Sequence, residues 1–230
     1  MNKLAASSLI QFTKEELKSL PADWSLVPVS GKQPIGKGWN KHPLTPEKLS
    51  RWITLGHHCT GFGLLTGTPI ESGCSFVLAV DQDGVTAATM LSKLAQGKLP
   101  LTIAFTFLRP GRCQWLFKVS ASVAQQMRSR KLEGGLELRF AGLMSVLPPS
   151  IHPSTGKPYR WLPGCSPSEV EIALAPDWLV QLMIAETPTK TPLKQSVRQV
   201  HYPKTPRVTD STITSLLARL HPHRADDYHE

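Results

Sequence analysis

The segment Ser75–Gly84, SFVLAVDQDG, constrains this chain more than any other. Its apolar residues run almost unbroken to Val80 in the short form of a buried β-strand, and the strand then delivers Asp81 and Asp83 with only Gln82 between them. Side chains two positions apart on a strand project to the same face, so the two carboxylates share a face at the strand's C-terminal end. Close carboxylates repel unless a positive charge lies between them, and Mg²⁺ or Mn²⁺ meets that demand with hard oxygen ligands. The alternative is that Asp81 begins a turn completed by Asp83-Gly84. Spacing leaves both open.

A third acid bears on the choice. Glu137 in GGLELRF alternates with Leu136 and Leu138 in a strand pattern, where an acid is costly to bury unless it is paired. Its partner is either a metal or Arg139, which period two places on the same face. Two carboxylates on one strand and a third on another match two-metal phosphoryl transfer, as used by polymerases and nucleases alike. The chain contains no G-x-x-x-x-G-K-[ST] loop and no G-x-S-x-G elbow, so neither P-loop ATP hydrolysis nor an α/β-hydrolase nucleophile is supported.

The pattern around these strands indicates an α+β fold, with mixed or antiparallel sheets flanked by helices. KEELKSL (14–20) predicts a helix stopped by Pro21, WSLVPV a strand, and Thr45-Pro46 the capped start of a helix through Ile53. GFGLLTG and CSFVLAVD predict neighbouring strands, and VTAATMLSKLAQG predicts a helix ending at Gly97. TIAFTFLR and CQWLFKVS predict a hairpin around Pro110-Gly111. A helix through SVAQQMRSRK follows, then strands GLELRF and LMSVLPPS. Residues 1–185 form the expected main domain, residues 186–208 a Pro/Lys-rich linker, and residues 209–230 the start of a truncated helical module.

The 230 residues are 40% hydrophobic, enough for one sizeable core. The formal charge is +9, which favours a polyanionic partner such as nucleic acid, although a solvated basic face accounts for the charge equally well. No apolar run reaches the roughly 18 residues that span a bilayer, and the N-terminus has no signal-peptide h-region, so no membrane partner and a cytoplasmic location are expected. Cys59, Cys74, Cys113 and Cys165 lie far apart and are read as reduced thiols; His57, His58 and Cys59 with Cys74 are too weak a pattern to assign a metal.

Several stretches, in order over residues 24–165, together resemble the N-terminal domain of the bifunctional primase-polymerases, within the archaeo-eukaryotic primase superfamily. WSLVPVSGKQPIGKGW resembles the family's opening strand and its Lys, Pro, then Gly-Trp segment, and TGFGLLTG the glycine-containing strand before the first acidic motif. LAVDQDG resembles that first motif. LELRF followed by SVLPPSIHPSTGKPYRW resembles the third motif and the Pro-Pro-Ser, His, Gly, Tyr-x-Trp run after it.

The resemblance implies a core related to RNA-recognition folds that performs template-directed nucleotidyl transfer as a DNA primase, a DNA polymerase or both, in replication of a genome or mobile element. Asp81, Asp83 and Glu137 are the implied catalytic residues and ligands of two Mg²⁺ or Mn²⁺ ions. The implied partners are single-stranded DNA template, nucleoside triphosphates, and a helicase domain or protein. The chain departs from the family pattern twice. Gln114 stands where the second motif commonly has a phosphate-contacting histidine; its amide can donate a hydrogen bond but carries no charge. Glu137 stands where the third motif usually has Asp. Arg109, Arg112 and Arg139 supply candidate triphosphate contacts, and His152 faces the site in the family pattern. Lys37 and Trp39 are candidates for backbone or base contacts, with packing the competing use of Trp39. The competing functions are a metal-dependent nuclease using the same acids, and a non-catalytic, DNA-binding replication initiator module.

Overall fold

The computed structural model describes residues 12–107 and 109–184. In chain order the elements are α1 (Lys14–Lys18), β1 (Leu26–Ser30), β2 (Gln33–Pro34), α2 (Pro46–Thr54), β3 (Gly61–Leu65), β4 (Pro69–Ile70) and β5 (Ser75–Asp83). After these come α3 (Val85–Ala95), β6 (Ala104–Thr106), β7 (Arg112–Ser120), α4 (Ala121–Ala124), β8 (Arg130–Lys131), β9 (Leu136–Arg139), β10 (Met144–Val146), β11 (Arg160–Trp161), β12 (Ala173–Leu174) and α5 (Asp177–Ile184). The fold is α+β, as expected. The linker over 186–208 and the helical module over 209–230 lie outside the described residues.

Two sheets carry the architecture. The small sheet has the order β10-β3-β1-β2, and the large one β11-β6-β7-β5-β9-β8, with β12 added to β7 and β4 to β5. Every pairing is antiparallel except β12 with β7.

The nine residues of β5 explain both layers by parity. Val77 and Ala79 enter the core shared with Leu26, Phe62 and Leu64 of the small sheet, whereas Leu78 and Val80 enter a second core with Leu91 of α3 and Leu179 and Met183 of α5. Because β5 is covered on both faces it reads as a continuous apolar run rather than an alternating one. Each of the fully buried Val, Leu, Phe and Met side chains contributes on the order of 1.5–3 kcal/mol.

Local signals set most element boundaries. Thr13 caps α1 in a reciprocal box, accepting from the Glu16 amide at 3.1 Å while the Glu16 carboxylate accepts from the Thr13 amide at 2.6 Å. Thr45 accepts from the Lys48 amide at 3.3 Å and Pro46 opens α2. α3 ends at Ala95, with Gln96 left-handed ahead of Gly97.

Two expectations are corrected. GFGLL and SFVLAVD are not neighbours in one sheet: β3 lies between β10 and β1, while β5 lies between β7 and β9. The helix through SVAQQMRSRK is a single turn, Ala121–Ala124, and Arg130–Lys131 instead pair with β9. The apolar groups Ala124 and Met127 are buried there without a sustained helical stripe, and ladder bonds at the edge of β9 win over helix propensity.

Candidate active site

The acids sit where the core between the sheets runs out. Asp81 and Asp83 continue the face of β5 that Val77 and Ala79 begin, so the same parity that buries two aliphatic side chains turns the next two positions toward the site. Gln82 points to the opposite face, is 7% exposed, and its Nε2 donates to the Gly111 carbonyl at 2.7 Å. That bond fastens the β6–β7 connection to the end of β5. Gly111 has φ +68°, and a Cβ there would lie 2.6 Å from the Val85 nitrogen, so the connection closes only over glycine.

Register aligns the site across three strands. Asp81 is opposite Gln114 of β7 on one side and Glu137 of β9 on the other, and directly opposed residues of antiparallel strands share a face. Phe105 of β6 extends this row beyond Gln114, and Asp83 is opposite Arg112 in the next row.

Arg139 draws two of the three acids together. Its Nη2 donates to Asp81 Oδ2 at 2.7 Å and to Glu137 Oε2 at 2.6 Å, its Nε donates to Glu137 Oε2 at 2.8 Å, and its Nη1 donates to the Met144 carbonyl at 3.0 Å. The Glu137–Arg139 pair is therefore real, and Asp81 joins it. Asp83 is drawn the other way, into an ion pair with Arg112. Burial raises the pKa of Asp81; Arg139 opposes the shift, Glu137 and Asp83 reinforce it, and a hydrogen bond from the Gln114 side chain opposes it.

Two carboxylate oxygens that converge on one cationic nitrogen suit Mg²⁺, which takes one or two protein carboxylates and fills its other positions with water and phosphate oxygens. Asp81 and Glu137 fit such an ion. Asp83 does not converge with them, and among the described residues no group of three His, Cys, Asp or Glu is gathered to hold a metal.

A cationic and aromatic wall stands beside Asp81. Asp81, Phe105, Phe107, Gln114 and Tyr159 line one small cleft. Phe107 stacks on His152 with centroids 4.4 Å apart and planes 14° from parallel, and the Arg112 guanidinium lies 5.4 Å from the Phe107 centroid. His152 is 4% exposed, with its Nδ1 3.1 Å from Ser154 Oγ and its Nε2 buried without a partner. Burial lowers the His152 pKa, and Lys32, Arg109 and Arg112 push it the same way, which favours the neutral ring. Gln114 Oε1 is likewise buried without a partner.

The loop bearing His152 is fixed by Ser150, whose Oγ accepts from the Phe62 amide at 2.9 Å and donates to the Phe62 carbonyl at 3.0 Å. A Cβ at Gly61 would lie 2.4 Å from that oxygen, which accounts for a glycine in β3.

Of the other sequence candidates, Arg109 is exposed near His152, and Lys37 is exposed. Trp39 is half-buried and, with Pro34, Glu137, Arg139, Leu143 and Met144, lines a cavity of about 260 Å³ beside the acids. Sequence reasoning missed Phe107, and it placed Lys32 in the family's opening segment without assigning it a contact. Phe107 lies in the apolar half of a predicted hairpin, where an aromatic reads as core. Lys32 lies in a turn of the other sheet, a juxtaposition no local pattern carries.

The family model for the bifunctional DNA primase/polymerase, N-terminal, matches residues 17–178, well over half of the chain. No curated protein matches it.

Proposed function

The chain belongs to the bifunctional DNA primase/polymerase N-terminal family, and from that premise we propose that it performs template-directed nucleotidyl transfer, starting or extending a strand on single-stranded DNA. The observation that carries the reading is the row Gln114–Asp81–Glu137: two carboxylates and a hydrogen-bonding amide in register on one face, beside cations on an aromatic wall. Asp81 and Glu137 would hold a Mg²⁺ or Mn²⁺ ion, and Asp83, paired with Arg112, would be a further oxygen donor. When bound, such ions activate the attacking hydroxyl and stabilise the leaving oxygen.

The chain's own residues do the rest. Arg112 and Arg109 neutralise phosphate charge, the neutral His152 ring offers its unpartnered Nε2 to a phosphate oxygen, and Gln114 supports Asp81 by a hydrogen bond. Arg139 keeps Asp81 and Glu137 together and is a further cation for substrate phosphates. The Trp39 wall gives a flat apolar surface beside the acids, suited to a nucleobase. The excess positive charge steers a polyanionic template toward the protein. A helicase domain or separate helicase fits the same replicative role.

The test incubates the protein with single-stranded template, nucleoside triphosphates and Mn²⁺ or Mg²⁺, and resolves the products. New oligonucleotides that vanish in Asp81→Asn and Glu137→Gln support the proposal. Shortened template without added nucleotides indicates a nuclease instead, and binding without either product indicates a non-catalytic module.

A further inference from the structure

Lys32 has no role in the nucleotide contacts above, yet it stands over the same wall. Its Nζ lies 5.5 Å from the Phe107 centroid, the ring that the Arg112 guanidinium approaches at 5.4 Å. We propose that Lys32, carried on the β1–β2 turn of the small sheet, clamps the polyphosphate tail of the nucleotide against the Phe107–His152 stack. This rests on the nucleotidyl-transfer reading for the identity of the nucleotide, but not for the polyphosphate itself.

Charge accounting singles the residue out. Arg112 is committed to Asp83, and Arg139 to Asp81 and Glu137, so each acid already has an arginine. Among the described residues the Lys32 ammonium has no ion-pair partner. Partial withdrawal from water lowers its pKa; Asp81 and Asp83 oppose the shift, while Arg112 and Arg139 reinforce it. A surplus cation held among other cations, beside a buried and unpartnered imidazole nitrogen, is complementary to a ligand with several negative oxygens.

The turn is also seated for the task. The Gly31 amide donates to Thr60 Oγ1 at 2.6 Å, and a Cβ on Gly31 would lie 3.6 Å from Pro153, the neighbour of His152. The turn that presents Lys32 therefore packs on the loop that presents His152. A phosphate between Lys32 and Arg112 of β7 would join the two sheets across the site. A template phosphate carries a single charge and needs no such convergence, so the chemistry favours a di- or triphosphate.

The test titrates the full chain, its Lys32→Gln variant and its Lys32→Arg variant in Mg²⁺ buffer by calorimetry, using sodium tripolyphosphate, ATP, AMP and a single-stranded oligonucleotide. A charge-assisted hydrogen bond is worth roughly tenfold or more in affinity. Lys32→Gln should weaken tripolyphosphate and ATP by about that factor and leave AMP and the oligonucleotide essentially unchanged, while Lys32→Arg recovers most of the loss. Unchanged polyphosphate affinity, an equal loss for AMP or oligonucleotide, or no measurable tripolyphosphate binding by the wild type overturns the proposal. Because none of these readouts requires synthesis, failure of nucleotidyl transfer would appear separately, as polyphosphate binding without product.

Discussion

Replacing Arg139 by glutamine leaves Asp81 and Glu137 facing each other without the cation they share. Removing one partner of a fully buried ion pair costs about 3–5 kcal/mol. Here Asp81, Glu137 and Arg139 retain 19%, 28% and 21% side-chain exposure, so water recovers part of the loss and about 2 kcal/mol is expected. For a domain of this size that corresponds to a fall in Tm of about 4–8 °C. The assay is thermal unfolding followed by circular dichroism, first with chelator and then with Mn²⁺. Because the ion supplies the missing charge and binds the native state, Mn²⁺ at about 100 times its Kd should return roughly 2.7 kcal/mol to Arg139→Gln. The Glu137→Gln/Arg139→Gln double variant should lose less than the sum of the single changes, since each removes the same contact. A variant as stable as wild type in chelator, or strictly additive losses, would refute the reasoning.

Three further outcomes follow from single contacts. Ser150→Ala deletes both hydrogen bonds to the Phe62 backbone at a site 1% exposed; a loss of about 1–3 kcal/mol and faster hydrogen exchange at the Phe62 amide are expected, and unchanged exchange would contradict the assignment. Burial pushes the Cys59 thiol up to about 11 whereas Cys74 is exposed, so at pH 8 a thiol reagent should modify Cys74 and spare Cys59 in the native protein, an order that equal labelling would overturn. Gln114→His places a ring donor in the row beside Asp81, and strand synthesis should stay intact or rise; a collapse would mean the phosphate is held by other groups.

The acids were legible because strand periodicity is local: Asp81 and Asp83 share a face by spacing alone, and the apolar run before them marks β5 as buried. Glu137 was legible as costly in a strand, and its ambiguity between metal and Arg139 resolved into a three-way contact that only register between β5 and β9 could disclose. Sheet membership was not legible. GFGLL and SFVLAVD carry the same apolar signature, and which strands they join depends on long-range pairing with β10 and β7. The segment 122–131 misled because its Gln, Arg and Lys residues favour a helix in isolation, while the last two are captured by a strand edge. Lys32 was legible only as the lysine of the opening Lys, Pro, then Gly-Trp segment, because its neighbours Phe107, just past β6, and Arg112 of β7 are brought to it by the other sheet.

The proposed nucleotidyl-transfer site centres on Asp81 and Glu137, flanked by Lys32 and Arg112. Anomalous diffraction from crystals soaked with Mn²⁺ and a non-hydrolysable nucleoside triphosphate tests this most directly. A manganese peak bonded to oxygens of Asp81 and Glu137 is expected, with the polyphosphate between Lys32 and Arg112. A peak bonded to neither acid, or a polyphosphate bound away from the Phe107–His152 stack, would contradict it.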